Sequence, residues 1–144
     1  MKTWVDRLLL IALTLFVVLL TLTALPSLFY GHLGGTMLLA HMLVSGAFVF
    51  LLPVFALLWT WRHISRFTSG TLQRIGFWAV IFTGFLTIAT VFICMLPYPS
   101  TDQMRQLIHW HGYAGFAIVP ALVLLLWGTL RWRRMEEIRS ETLG

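Results

Sequence analysis

Five histidines are the side chains in this sequence best suited to chemistry, and they are unevenly placed. His41, His109 and His111 lie within long apolar runs, His32 sits among Gly31, Gly34 and Gly35, and His63 follows Arg62 at the end of the second run. An ionisable group inside an apolar run is expensive and is a functional candidate by default. His41 stands roughly six helical turns before Arg62, and His109 and His111 stand roughly as far before Arg131. Counted back from those arginines, the three imidazoles come to the same depth. Neutral imidazole is a favoured ligand for haem iron, and two such rings on different helices can meet across a bundle interior. The pattern predicts a bis-histidine haem b held between the second and fourth apolar runs.

His109 and His111 are two positions apart, about 200° around a helix, so both cannot face one iron. A register match between the runs favours His109. The H-x-x-x-G spacing to Gly115 and a slightly deeper position favour His111, which is given the greater weight as partner of His41. Gly46, Gly112 and Gly115 are the residues expected to leave room for a porphyrin, with Ser45 beside Gly46. His32, Tyr113 and Asp102 are candidates to contact a quinol or a haem propionate, and Asp102 is also a candidate helix cap. His63, at a helix end, reads as an interfacial residue.

Two other chemistries compete. Histidine can act as polar glue between membrane helices, which would make the chain a cofactor-free structural subunit of a larger complex. Alternatively, Met37, Met42, Met95, Met104 and Cys94 accompany the histidines, and thioether, thiolate and imidazole ligands together suit copper, as in a carrier or assembly protein. The lone Cys94 excludes an internal disulfide, a CxxC site and a c-type haem attachment. Nucleophile–base pairs, paired carboxylates and phosphate-binding loops are not found, and an electron-transfer subunit of an oxidoreductase is expected over a stand-alone enzyme.

These side chains must be positioned by membrane helices. Of 144 residues, 59% are hydrophobic, and only ten basic and five acidic side chains carry a formal charge. Soluble domains carry roughly a quarter charged residues, so a water-soluble globule is excluded, as is disorder. Four stretches, 8–25, 36–61, 75–96 and 107–130, are free of Asp, Glu, Lys and Arg and long enough to span a hydrocarbon core of about 30 Å. They are too continuous for barrel strands. The predicted fold is an all-α membrane protein, a four-transmembrane-helix bundle forming a single membrane domain over 1–144.

Nine basic residues fall at the two ends and in the middle loop, and Arg105 alone falls in the other loops. The positive-inside rule then places both termini and the middle loop in the cytoplasm, with the first and third loops outside. The net charge of +5 is thereby a matter of topology, and no nucleic-acid partner is expected. The first run exceeds the usual signal-peptide core and is expected to be retained as a helix. Pro26 and Pro97 are expected to end the first and third helices, Ser100, Thr101 or Asp102 to cap the fourth, and Pro53 and Pro120 to kink the second and fourth. Sliding the second run along the chain superposes His41 on His109, Phe48 on Phe116 and Trp59 on Trp127 in one register, which suggests a tandem repeat of two helix pairs.

His111-Gly112-Tyr113-Ala114-Gly115 leading to Trp127 and Arg131-Trp132-Arg133, with His41 and Gly46 leading to Trp59-Thr60-Trp61-Arg62, resembles the haem-bearing helices of small bacterial four-helix membrane b-type cytochromes. The likeness covers the second and fourth helices and rests on short motifs. It implies a quinol-linked electron-transfer subunit that exchanges electrons with other redox subunits, such as an outward-facing cytochrome or iron–sulfur protein. Many members hold two haems with four ligands. Here the cytoplasmic half offers only His63, so the resemblance implies one haem near the outer face and leaves a second open.

Overall fold

A computed structural model describes the backbone of residues 2–30, 33–64 and 70–143, and the side chains within these except those of residues 2, 3, 30, 63, 64, 140 and 143. His32 and the side chain of His63 therefore lie outside the described residues. Four α-helices follow one another: α1 (Lys2–Tyr30), α2 (Gly35–Trp59), α3 (Thr71–Cys94) and α4 (Thr101–Leu143). A π-helical turn, Thr60–Ile64, continues α2. No strand occurs among the described residues. All four helices are long and apolar enough to cross a membrane, so the expected all-α fold is present and the chain is a multi-pass membrane protein.

Side-chain exposure agrees with that environment. Leu43, Phe50, Phe82 and Phe85 stand on the helix surfaces, each at least two-thirds exposed. A soluble protein would not present so many large apolar groups to water, whereas lipid tails solvate them without penalty.

Two helix boundaries differ from the sequence expectation. Pro26 lies inside α1 instead of ending it. Proline removes one backbone donor and leaves the Leu22 carbonyl without its usual ladder partner, a loss that membrane helices tolerate. Ser27 Oγ, next to the proline, donates to the Ala24 carbonyl at 2.7 Å. At the other end of the chain, α4 continues past Leu130 as far as Leu143. The added segment is charged, which lowers its hydropathy, but Arg, Glu and Met are good helix formers and the backbone ladder continues through them.

The remaining boundaries follow local chemistry. Gly35 opens α2 with a positive φ of 57°, where a side chain would be strained. α3 stops at Cys94, shortly before Pro97, and the Met95 N–H closes the last turn onto Val91 and Phe92. Ser100 is the residue that caps α4. Its Oγ accepts from the Gln103 N–H at 3.3 Å, while Gln103 Oε1 accepts from the Ser100 N–H at 2.8 Å, a reciprocal capping box. Pro53 and Pro120 lie within α2 and α4.

The chain divides into two compact units, Met1–Trp59 with α1 and α2, and Thr60–Gly144 with α3 and α4. In the first unit the buried apolar side chains are Leu10, Leu13 and Val17 on α1 and Phe48, Leu52, Phe55 and Trp59 on α2, spaced three and four apart as one stripe per helix.

In the second unit α3 and α4 pack at backbone contact. A Cβ added at Gly76 would lie 2.6 Å from Leu125 Cα, and one added at Gly128 would lie 2.5 Å from the Gln73 nitrogen. Small residues that let two backbones approach are the usual device of membrane helix pairs, because lipid supplies no hydrophobic force to drive the helices together. The pairs 73/128 and 76/125 run in one antiparallel register. Gln73 is buried at this crossing, and its Oε1 has no hydrogen-bond partner among the described residues.

A side chain at either glycine must push the helices apart. Gly76→Val and Gly128→Val are each expected to destabilise the detergent-solubilised protein by about 2 to 3 kcal/mol, the scale of an overpacked core, seen as a lower unfolding temperature. Gly46→Ala, whose added Cβ meets nothing within 4 Å among the described residues, should leave it unchanged or slightly raised.

Candidate functional site

Each unit contains one histidine from its second helix hydrogen-bonded to its first. In the first unit, His41 sits in the second turn of α2, and its Nδ1 lies 2.9 Å from Thr23 Oγ1 on α1. In the second, His111 sits in the third turn of α4, and its Nδ1 donates to the Thr87 carbonyl of α3 at 3.0 Å, with Thr90 Oγ1 at 3.4 Å. Both imidazoles are half-buried.

The helical setting supplies these partners. Thr87 and Thr90 lie on one face of α3, opposite His111, and the pair 90/111 keeps the register that the glycines set at 73/128 and 76/125. A carbonyl of a helix already bonds the N–H four residues on, yet its second lone pair stays available to a side chain from a neighbour. Thr23 and Thr90 each return their hydroxyl to their own helix, Thr23 to Leu19 O at 2.8 Å, and Thr90 to Thr87 O at 2.8 Å and Leu86 O at 3.0 Å, so Thr90 and His111 share the Thr87 carbonyl.

His109 is placed differently. It is exposed, as its position about 200° around the helix from His111 requires. The shared arrangement therefore equates His41 with His111, two positions away from the register match that pairs it with His109.

The three glycines expected to clear a porphyrin fall into two kinds. Added Cβ atoms at Gly46 and Gly112 would meet nothing within 4 Å among the described residues. One at Gly115 would touch Thr87 Cγ2 at 4.0 Å, so Gly115 lies against α3, on the face it shares with His111.

An open pocket of about 460 Å³ lies within the second unit, lined by Ile93, Tyr98, Pro99, Gln103, Gln106 and Trp110, with Leu107. The capping box occupies Gln103 Oε1, which orients its amide NH2 as a donor, and Tyr98, Gln106 and Trp110 add further donors around an apolar floor. Tyr113 packs edge-to-face on Trp110, ring centroids 6.2 Å apart. Asp102 is exposed in the first turn of α4, beside Gln103.

Thr23, Thr87, Thr90 and the pocket residues carry no mark in the sequence that singles them out, because threonine is ordinary in membrane helices. The exception is Gln103, whose S-x-x-Q spacing from Ser100 is a recognisable helix start. Among the described residues, no three His, Cys, Asp or Glu side chains come together. A pair of imidazoles, as in a bis-histidine haem, needs no such cluster.

Compared with known protein families, curated proteins and solved structures, the chain matches none.

The exposure difference gives a direct check on the histidines. With diethyl pyrocarbonate in detergent and peptide mass spectrometry, His109 is expected to be carbethoxylated well before His41 and His111. Equal rates at the three sites would contradict the placement.

Proposed function

We propose that this protein is a membrane electron-transfer subunit that binds haem b through His41 and His111, and passes electrons between the quinone pool and an external redox partner. The observation that supports this most is the repeated one. Each unit offers one imidazole held at Nδ1 by the preceding helix, the outer-shell arrangement that metal-ligating histidines use.

The donor set fits the group. His41 and His111 would hold the haem through imidazole nitrogen, a favoured haem ligand, and an added Cβ at Gly46 or at Gly112 would meet nothing within 4 Å among the described residues. When bound, haem b supplies one-electron redox chemistry, which membrane helices have no side chain to provide. The protein's own part is to orient the two rings, to exclude water, and to set the surrounding polarity.

The quinone ring is placed in the pocket beside Trp110. Its carbonyl oxygens need donors on an apolar, aromatic wall, and Tyr98, Gln103, Gln106 and Trp110 are of that kind. Tyr113 would then act through Trp110, on which its ring packs, and Asp102 is the exposed sequence neighbour of Gln103. The distribution of basic residues supports both termini in the cytoplasm, and the resemblance to bacterial b-type cytochromes supports a bacterial inner membrane as the setting. The redox partner that suits an outer-face haem is an outward-facing cytochrome or iron–sulfur protein, with which the chain would work as a subunit.

A reduced-minus-oxidised spectrum and a pyridine haemochrome assay on the purified full chain test this. The expected result is a b-type spectrum that is lost in His41→Ala and in His111→Ala and kept in His109→Ala. Retention of haem in the His41 variant would overturn the assignment. Copper by elemental analysis in place of haem would shift it to a copper carrier, and neither cofactor would leave a structural subunit.

A further inference from the structure

We infer that Thr23, and the Thr87 carbonyl seconded by Thr90, are positioning groups that fix His41 and His111 as Nδ1–H tautomers, which makes Nε2 the basic, metal-binding nitrogen of each ring. This rests on the haem reading for its use, but the proton positions stand on the hydrogen bonds alone.

The case for His111 is the simpler. A backbone carbonyl can only accept, so the 3.0 Å contact from Nδ1 to the Thr87 oxygen requires the proton on Nδ1. A neutral ring with its proton there carries its lone pair on Nε2.

For His41 the partner is a hydroxyl, which can donate or accept, and the helix decides. Threonine in a helix characteristically returns its proton to a carbonyl three or four residues back. Thr14 bonds Leu10 O, Thr21 bonds Val17 O, Thr83 bonds Ala79 O and Thr129 bonds Leu125 O, each at 2.7 Å. Thr23 makes the same bond, at 2.8 Å to Leu19 O and 3.1 Å to Leu20 O. Its single proton is thus committed within α1, and toward His41 the oxygen presents a lone pair. The 2.9 Å contact is then Nδ1–H donating to Thr23 Oγ1.

The two sites differ in what a mutation can remove. Thr23→Val deletes the acceptor for His41 with little change of shape. Thr90→Val leaves the Thr87 carbonyl in place, so His111 keeps its partner. Unrestrained histidine prefers the proton on Nε2, so the Nδ1–H form is a distinctive signature.

The test is 15N NMR of the haem-free full chain, labelled at histidine and reconstituted in lipid nanodiscs. The expected result is a pyrrole-type shift at Nδ1 and a pyridine-type shift at Nε2 for both His41 and His111, each assigned by its His→Ala variant. Thr23→Val should return His41 to the Nε2–H form, Thr23→Ser should keep it as it is, and Thr90→Val should leave His111 unchanged. In the haem-loaded protein, Thr23→Val should weaken haem affinity about 10- to 100-fold, the usual effect of losing an outer-shell partner, and Thr23→Ser should restore it. An Nε2–H signal at either ring of the wild-type chain, or a Thr23→Val spectrum identical to wild type, would overturn the inference. Absence of haem with the Nδ1–H signature intact would instead overturn the electron-transfer function and leave the positioning assignment standing.

Discussion

An imidazole N–H inside a membrane span has no water to bond, and lipid tails offer nothing in exchange, so its partner must come from the protein. His41 and His111 meet this constraint in the same way, by reaching to the helix that precedes them. The hydrogen bond ties the two helices together and turns each ring into a fixed direction instead of a freely rotating group. What the rest of the fold supplies is the helix register that makes these contacts possible.

In the second unit that register is visible from end to end. Gly76 and Gly128 allow α3 and α4 to touch at the backbone, which leaves no freedom to slide, and the same antiparallel alignment places Thr90 opposite His111. The separation along α3 from Gln73 to Thr90 is about 25 Å, given the rise of a helix, so the glycines act on the histidine through the stiffness of two helices. A slip by one turn at the crossing would carry His111 away from the Thr87 carbonyl. The same closeness leaves the Oε1 of Gln73 without a partner among the described residues, a cost of the kind that unpaired buried polar atoms carry, about 1 to 3 kcal/mol.

Much of the fold was legible in the sequence because hydropathy and length decide membrane spans almost by themselves. The four helices and the stop before Pro97 could be read directly, and the cap of α4 was narrowed to Ser100, Thr101 or Asp102, of which Ser100 serves. Pro26 could not be read so, since whether a helix ends at a proline or runs on through it depends on how the folded turn absorbs one missing donor. The length of α4 was hidden for a related reason. Charge ends a hydropathy window at Leu130, but it does not end a helix. Among the candidate residues, His41, His109 and His111 stand out alike by type and depth, and the hydrogen-bond partners of His41 and His111 do not, because Thr23 and Thr87 look like every other threonine until the chain folds back on itself.

A straight helix of the length of α4 reaches about 64 Å, roughly twice the thickness of the hydrocarbon core. Its final stretch, with arginines and glutamates around Met135 and Ile138, therefore stands clear of the lipid as a post. Anything that docks on that side encounters this rod before it reaches the bilayer, so the chain carries its own spacer, one that sets how near a soluble neighbour can come and at what angle it must arrive.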